Sequence, residues 1–404
     1  MTGPNRTGAA SRRQPAPRVV RARTAALAAG PLDVDALLDD SQTHIIVCCG
    51  SGGVGKTTAS AALALRAAER GRRVCVLTID PARRLAQSMG LSQLDNTPRP
   101  VDGTRSLRGQ GSLDAMMLDM KRTFDEVVVA HASPAKAQQI LTNPFYLALS
   151  SSFAGTQEYM AMEKLGQLHA ESAGSGRWDL IVVDTPPSRS AMDFLDAPER
   201  LSSLLDGRFI RLLLTPTRGP ARIFSSGFGA ITSTMSKLLG AQVLADVQTF
   251  VAAFDTLFGG FRQRAEATYE RLKARGTAFV VVATPEPDAL REAAYFVERL
   301  TREQMPLAGL VVNRVDPPAA SLTAEEALAG AGRLDGADPA QAAVAALLRL
   351  HADRMRLQDR EAHLQRRFAA AHPSVPSIAV PALPSDVHDL DGLRRVGELL
   401  STGV

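Results

Sequence analysis

The chain reads as an α/β protein: a doubly wound, mostly parallel sheet with an inserted helical subdomain. Three observations point there. Six almost continuously apolar runs, at 45–49, 74–79, 180–183, 279–283, 307–312 and 378–380, have the pattern of parallel strands covered on both faces. The first two flank an alanine-rich helical stretch at 59–70, which Gly71 closes, and together they make a right-handed βαβ unit. Two long stretches, roughly 112–172 and 200–275, lack strand patterning and hold most of the remaining phenylalanines and methionines, so both are assigned to the helical subdomain.

From the N-terminus, residues 1–38 read as a disordered tail rich in Arg, Ala and Pro, and 39–404 as the folded domain. With 45% apolar residues the chain can bury a substantial core. Six of its 46 basic residues, Arg6, Arg12, Arg13, Arg18, Arg21 and Arg23, lie in 1–32 without any acid, leaving 40 basic against 42 acidic side chains in 33–404. The body is therefore near neutral, which argues against nucleic-acid binding as its main function. Residues 25–29 are too short and weakly apolar for a secretory segment, and no run approaches the ~20 apolar residues of a membrane span. A cytoplasmic protein without stable membrane insertion is expected. Cys48, Cys49 and Cys75 fall in expected strands and form no C-x-x-C, so they read as small core residues.

The first strand runs into Gly50-Ser51-Gly52-Gly53-Val54-Gly55-Lys56-Thr57-Thr58, which matches G-x-x-x-x-G-K-[ST]. Glycines allow a turn tight enough for successive N–H groups to point at phosphate oxygens, and the helix that follows adds its positive N-terminal dipole. Lys56 is expected on the β and γ phosphates, the Thr57 hydroxyl on Mg²⁺ and Thr58 near the α phosphate. With its strand before and helix after, this is the phosphate loop of a P-loop NTPase.

Two acids end strands beside it. Asp184 follows 180–183 and opens Asp184-Thr185-Pro186-Pro187-Ser188, where a carboxylate orients Mg²⁺ or its waters. Asp80 follows 74–79 and opens Asp80-Pro81-Ala82-Arg83-Arg84-Leu85, where it is free to position or deprotonate an attacking water. Either acid alone could be a cap or turn residue. Two of them at strand ends after one phosphate loop make a chemical site.

The loop, the Asp-Pro-Ala-x-x-Leu motif, Ala154-Gly155-Thr156-Gln157-Glu158 and Asp184-Thr185-Pro186-Pro187-Ser188 together resemble the ArsA family over residues 40–400. That family includes the ATPase subunit of arsenite pumps and the ATPase that delivers tail-anchored membrane proteins, and the likeness is to its actinobacterial branch. The resemblance implies ATP and Mg²⁺ as cofactors, Asp80 and Lys56 as the catalytic pair, and Asp184 as the start of the second switch. It implies that Asn313 reads adenine, that Glu286, 27 residues earlier, faces the nucleotide, and that Pro381 and Leu383 in Pro381-Ala382-Leu383-Pro384 pack on the base. An amide suits adenine because it offers both a donor and an acceptor.

The departures from the pattern matter as much. Family members usually carry, where this chain has Ser51, a lysine that reaches across a dimer to the partner's phosphates. Slow hydrolysis, substitution by Arg83 or Arg84, or pairing with a lysine-bearing paralogue would each accommodate Ser51, and the heteromer is favoured narrowly over the homodimer. The zinc-bridging C-x-x-C is absent after Asn313, so no zinc is expected, and the helical stretches hold no counterparts of the cysteines that bind arsenite in the pump subunit, so no metalloid activation is expected either. In the helical stretches Phe145, Phe153, Met160 and Met162, and the glycine-loosened apolar segment 208–262, suit either a satellite core or a hydrophobic protein client. Leu350, Leu357 and Leu364 repeat every seven residues on an expected helix over 339–371 and should pack on the sheet. The C-terminal stripe Leu390, Leu393, Val396, Leu399 and Leu400 should dock as a final helix. The reading is thus an Mg²⁺-dependent ArsA-type ATPase that rearranges a dimer around a client or partner. The alternative is a low-turnover regulatory subunit of a heteromer, and the motifs weigh against a phosphotransferase or ligase.

Overall fold

The computed structural model describes residues 30–79, 84–91, 94–104, 111–144, 146–147, 156–186, 260, 263–317, 320–334 and 338–403. The tail at 1–29, Asp80 with Pro81, Ala82 and Arg83, Phe145, Phe153, Ala154 and Gly155, Pro187 and Ser188, and the client segment up to 259 lie outside the described residues.

In chain order the fold runs through α1 (Val34–Asp39), β1 (Ile45–Gly50), α2 (Lys56–Glu69), β2 (Arg73–Thr78), α3 (Arg84–Ser88), β3 (Arg99–Pro100) and β4 (Ser112–Met117). It continues through α4 (Met120–His131), α5 (Pro134–Leu141), α6 (Thr156–Ser175), β5 (Leu180–Asp184), β6 (Thr277–Ala283) and α7 (Pro287–Arg302). The last described elements are β7 (Leu307–Val315), α8 (Ala324–Arg333), α9 (Pro339–Ala371), β8 (Ser377–Pro381) and α10 (Leu390–Thr402). The eight strands form one sheet in the order β3-β4-β2-β5-β1-β6-β7-β8. Every pairing is parallel except that of β3 with β4.

All six residues of β1 are buried, because alternate side chains enter two different layers. Ile45, Val47 and Cys49 join the layer with α4, α6 and α7. Ile46 and Cys48 join the layer with α2 and α10. The same two-sided burial is why β2, β5 and β6 also stand out in the sequence as continuous apolar runs. The chain passes from β1 to β2 over the place that β5 fills, and from β5 to β6 over β1. The carboxyl ends of β1, β2 and β5 therefore meet at a switch in strand order, where ligands of open α/β sheets bind.

Three expectations need correction. Residues 31–38 are not part of a disordered tail. Pro31 bridges to Ser377, Asp33 caps α1 by accepting from the Ala36 amide at 2.9 Å, and Val34 and Leu38 are buried. The anchors of α1 are remote: Asp35 accepts from Arg66 at 2.6 Å, and Arg70 joins the same pair. Second, Ser112–Met117 is a strand inside the stretch read as helical. Asp114 interrupts its apolar run, yet accepts from Arg177 at 2.8 Å and from the Trp178 ring N–H at 3.0 Å. Third, on the 33-residue helix α9, Leu350 and Leu357 are exposed at 67% and 41%, so only Leu364 of the heptad series packs on the sheet layer. The N-terminal half of α9 lies against α8 instead, where Leu348 would stand 3.2 Å from a β-carbon on Gly330. The final helix α10 does dock, and a β-carbon built on its Gly397 would stand 3.4 Å from the Arg66 β-carbon on α2.

Candidate nucleotide site

Backbone geometry builds the loop after β1. At Gly50 a β-carbon would stand 2.1 Å from the Val282 carbonyl of β6, so only glycine lets the chain leave the sheet there. Gly55 takes φ +94° as the N-cap of α2, and a β-carbon on it would meet the Asn313 amide nitrogen at 2.4 Å. The next residue, the buried Lys56, curls back, and its Nζ donates to the Ser51 carbonyl at 2.8 Å. The helix start at Lys56 leaves its first N–H groups facing the loop.

Register then places Asp184. It ends β5, pairing with Cys48 of β1 on one side and with Thr78, the last residue of β2, on the other. Asp184 is fully buried, and its Oδ2 accepts from Thr57 Oγ1 at 2.7 Å and from Thr78 Oγ1 at 3.0 Å. The adjacent Thr185 hydroxyl is spent on the Cys48 carbonyl at 2.8 Å. Ile79, the residue before Asp80, donates its amide to the Asp184 carbonyl at 3.0 Å, so the two strand-end acids follow hydrogen-bonded backbone.

A cavity of about 800 Å³ opens beside the loop, large enough for a nucleotide. Gly52, Gly53, Gly55, Lys56, Thr57 and Thr58 line one wall. Asn313 and Arg314 from β7, with Pro381 at the end of β8 and Leu383 beyond it, line the cavity as well. The structure thus brings the loop together with Asn313, Pro381 and Leu383. Glu286 is apart. It is exposed at the N-cap of α7 and does not line this cavity. Ser51 keeps its hydroxyl oxygen buried with no hydrogen-bond partner among the described residues.

Sequence reasoning missed Arg314. Its guanidinium donates to the Gly53 carbonyl at 3.0 Å while the Asn313 amide donates to the Val54 carbonyl at 2.8 Å. No sequence signal marks it, since the contact depends on a backbone irregularity in β7 described below.

The three cysteines are buried and free. Burial pushes the Cys48 thiol up to about 12 and raises Cys49 and Cys75 as well, so none is a reactive thiolate. Among the described residues no cluster of His, Cys, Asp and Glu side chains suits a metal ion by itself, and no described helix is long and apolar enough to cross a membrane.

Comparison with known proteins agrees with this geometry. Residues 43–325 match the anion-transporting ATPase family. The chain is similar to the ATPase GET3 of Kluyveromyces lactis, 24% identical over 297 residues that cover 70% of this chain and 75% of the relative. It is 27% identical to the ATPase GET3 of Podospora anserina over 285 residues, 70% of this chain and 76% of that one. It is 30% identical to the arsenical pump-driving ATPase of Acidiphilium multivorum over 159 residues, 39% of this chain and 26% of that one. The matched span holds the whole site apart from the β8 wall, and the chain belongs to the anion-transporting ATPase family, the ArsA-type enzymes that hydrolyse ATP.

Proposed function

We propose that this protein hydrolyses ATP with Mg²⁺ and uses the cycle to rearrange a dimer around a client or partner protein. The observation that carries the reading is that Lys56, Thr57 and Asn313 line one cavity, with the buried Asp184 hydrogen-bonded to Thr57 behind it. In this reading the loop N–H groups and Lys56 hold the triphosphate, and Asn313 reads the base between Pro381 and Leu383. Asp80, beyond the end of β2, orients the attacking water and accepts its proton.

The donor set fits Mg²⁺, which prefers oxygen ligands and keeps much of its water. Thr57 would hold the ion through its hydroxyl and Asp184 through a bound water, from side chains that already lie 2.7 Å apart. When bound, the cation offsets the charge that develops on the transferred phosphoryl group. Lys56 supports that role from the loop, where its short bond to Ser51 holds it at the mouth of the phosphate cradle.

Ser51 favours a second reading, a low-turnover subunit that supports a lysine-bearing paralogue, because a serine brings no charge to a partner's phosphates. Both readings place the protein in the cytoplasm and in an oligomer. Dimer rearrangement follows from switch segments after β2 and β5 that sense the γ phosphate. For the client, an Asp80→Asn variant held in ATP is the trap: it should retain a protein with an exposed apolar helix that the same variant releases in ADP. Equal recovery in both nucleotides would remove client handling from the account.

A further inference from the structure

Strand β7 carries an irregularity that is built around one residue. The register of β7 on β8 shifts between Asn313, which pairs with Val380, and Val315, which pairs with Pro381. Arg314 is the residue between them, and its φ of +61° lies in the left-handed region that a bulky side chain rarely adopts. In a regular strand Asn313 and Arg314 would point to opposite faces of the sheet. Here they reach consecutive carbonyls of the same loop, Val54 at 2.8 Å and Gly53 at 3.0 Å. A bulge re-aims a side chain in this way, and strain of this kind persists where the surrounding structure requires it.

The two carbonyls matter because of what lies behind them. In a trans peptide the C=O and the following N–H point in opposite directions. Holding the Gly53 and Val54 carbonyls on the β7 side turns the amides of Val54 and Gly55 away from it, and these are amides of the phosphate-binding pattern. Gly53 and Gly55, at φ +78° and +94°, give this stretch a backbone that would otherwise sample many conformations.

We propose that Arg314 is a positioning residue for the phosphate loop, which fixes the Gly53 carbonyl so that the anion-binding amides are aligned before nucleotide arrives. This rests on reading the 50–58 loop as the phosphate site. Arg314 is exposed, so its replacement leaves the core intact. The test is calorimetric binding of inorganic tripolyphosphate, ATP and adenosine to the full chain and to Arg314→Ala and Arg314→Gln, with hydrogen exchange at Val54 and Gly55. Arg314→Ala should bind tripolyphosphate and ATP about 5- to 10-fold more weakly, as loss of one charge-assisted hydrogen bond implies. The deficit should persist in high salt, Arg314→Gln should recover part of it, adenosine binding should fall less than tripolyphosphate binding, and the two amides should exchange faster at an unaltered melting temperature. Tripolyphosphate binding equal to wild type, or a deficit that vanishes in high salt, would overturn the proposal while leaving the phosphate site in place. A wild-type chain that binds neither tripolyphosphate nor ATP would remove both.

Discussion

Asp184 shows how a single residue converts strand register into chemistry. Its backbone is the end of β5, held between β1 and β2, and its carboxylate is buried against the hydroxyls of Thr57 and Thr78. Asp184→Asn preserves the shape but presents an amide where the two hydroxyls now donate, and removes the charge that Mg²⁺ and its waters require. Turnover at saturating ATP should fall by at least about 100-fold, a loss typical of removing one well-placed electrostatic group, and half-maximal activity should need more Mg²⁺. A magnesium titration of the variant checks both. Asp184 was legible in the sequence because it ends an apolar run, and Lys56 and Thr57 because their spacing is that of the phosphate loop. Arg314 was not, because a bulge and a left-handed backbone angle leave no trace in the residue pattern.

At the scale of elements, β1, β2, β5 and β6 were legible because they are buried on both faces, which leaves an almost unbroken apolar run. The β3–β4 edge was lost for the converse reason. In β4 the polar Asp114 sits mid-strand with its partners 63 and 64 residues away, and β3 is the two residues Arg99 and Pro100. Helix α1 was likewise lost because six residues give too little periodicity, and what fixes them is the pairing of Asp35 with Arg66 and Arg70 on α2. The Arg66 hydrogen bond holds the Asp35 carboxyl below its usual 3.8. A carboxylate lowered in the folded state contributes stability above the unfolded value and loses it as pH falls through the folded one. Asp35→Asn should therefore lower the melting temperature by about 2 °C at neutral pH, the size expected of a partly exposed ion pair. The difference should close in strongly acidic solution, and calorimetry across pH reads it. The exposed Leu350 and Leu357 carry the same lesson for α9, since a heptad repeat states a periodicity and not which neighbour will cover it.

At the scale of the molecule, the chain has in the proposed reading one phosphate loop, a pair of acids at strand ends and a place for the base, and so one ATP site among the described residues. What a second chain adds turns on Ser51, which brings no charge to a neighbour's nucleotide. The near-neutral body fits a protein that works on other proteins more readily than on nucleic acid. All of these readings pass through one claim, that the chain itself turns over ATP with Asp80 as the residue that handles the water. Steady-state hydrolysis by the purified full chain and by Asp80→Asn, with nucleotide binding measured alongside, tests it most directly. The account predicts Mg²⁺-dependent turnover by the wild type and its loss in the variant with ATP binding retained. Binding without turnover by the wild type, or full turnover by Asp80→Asn, would contradict it.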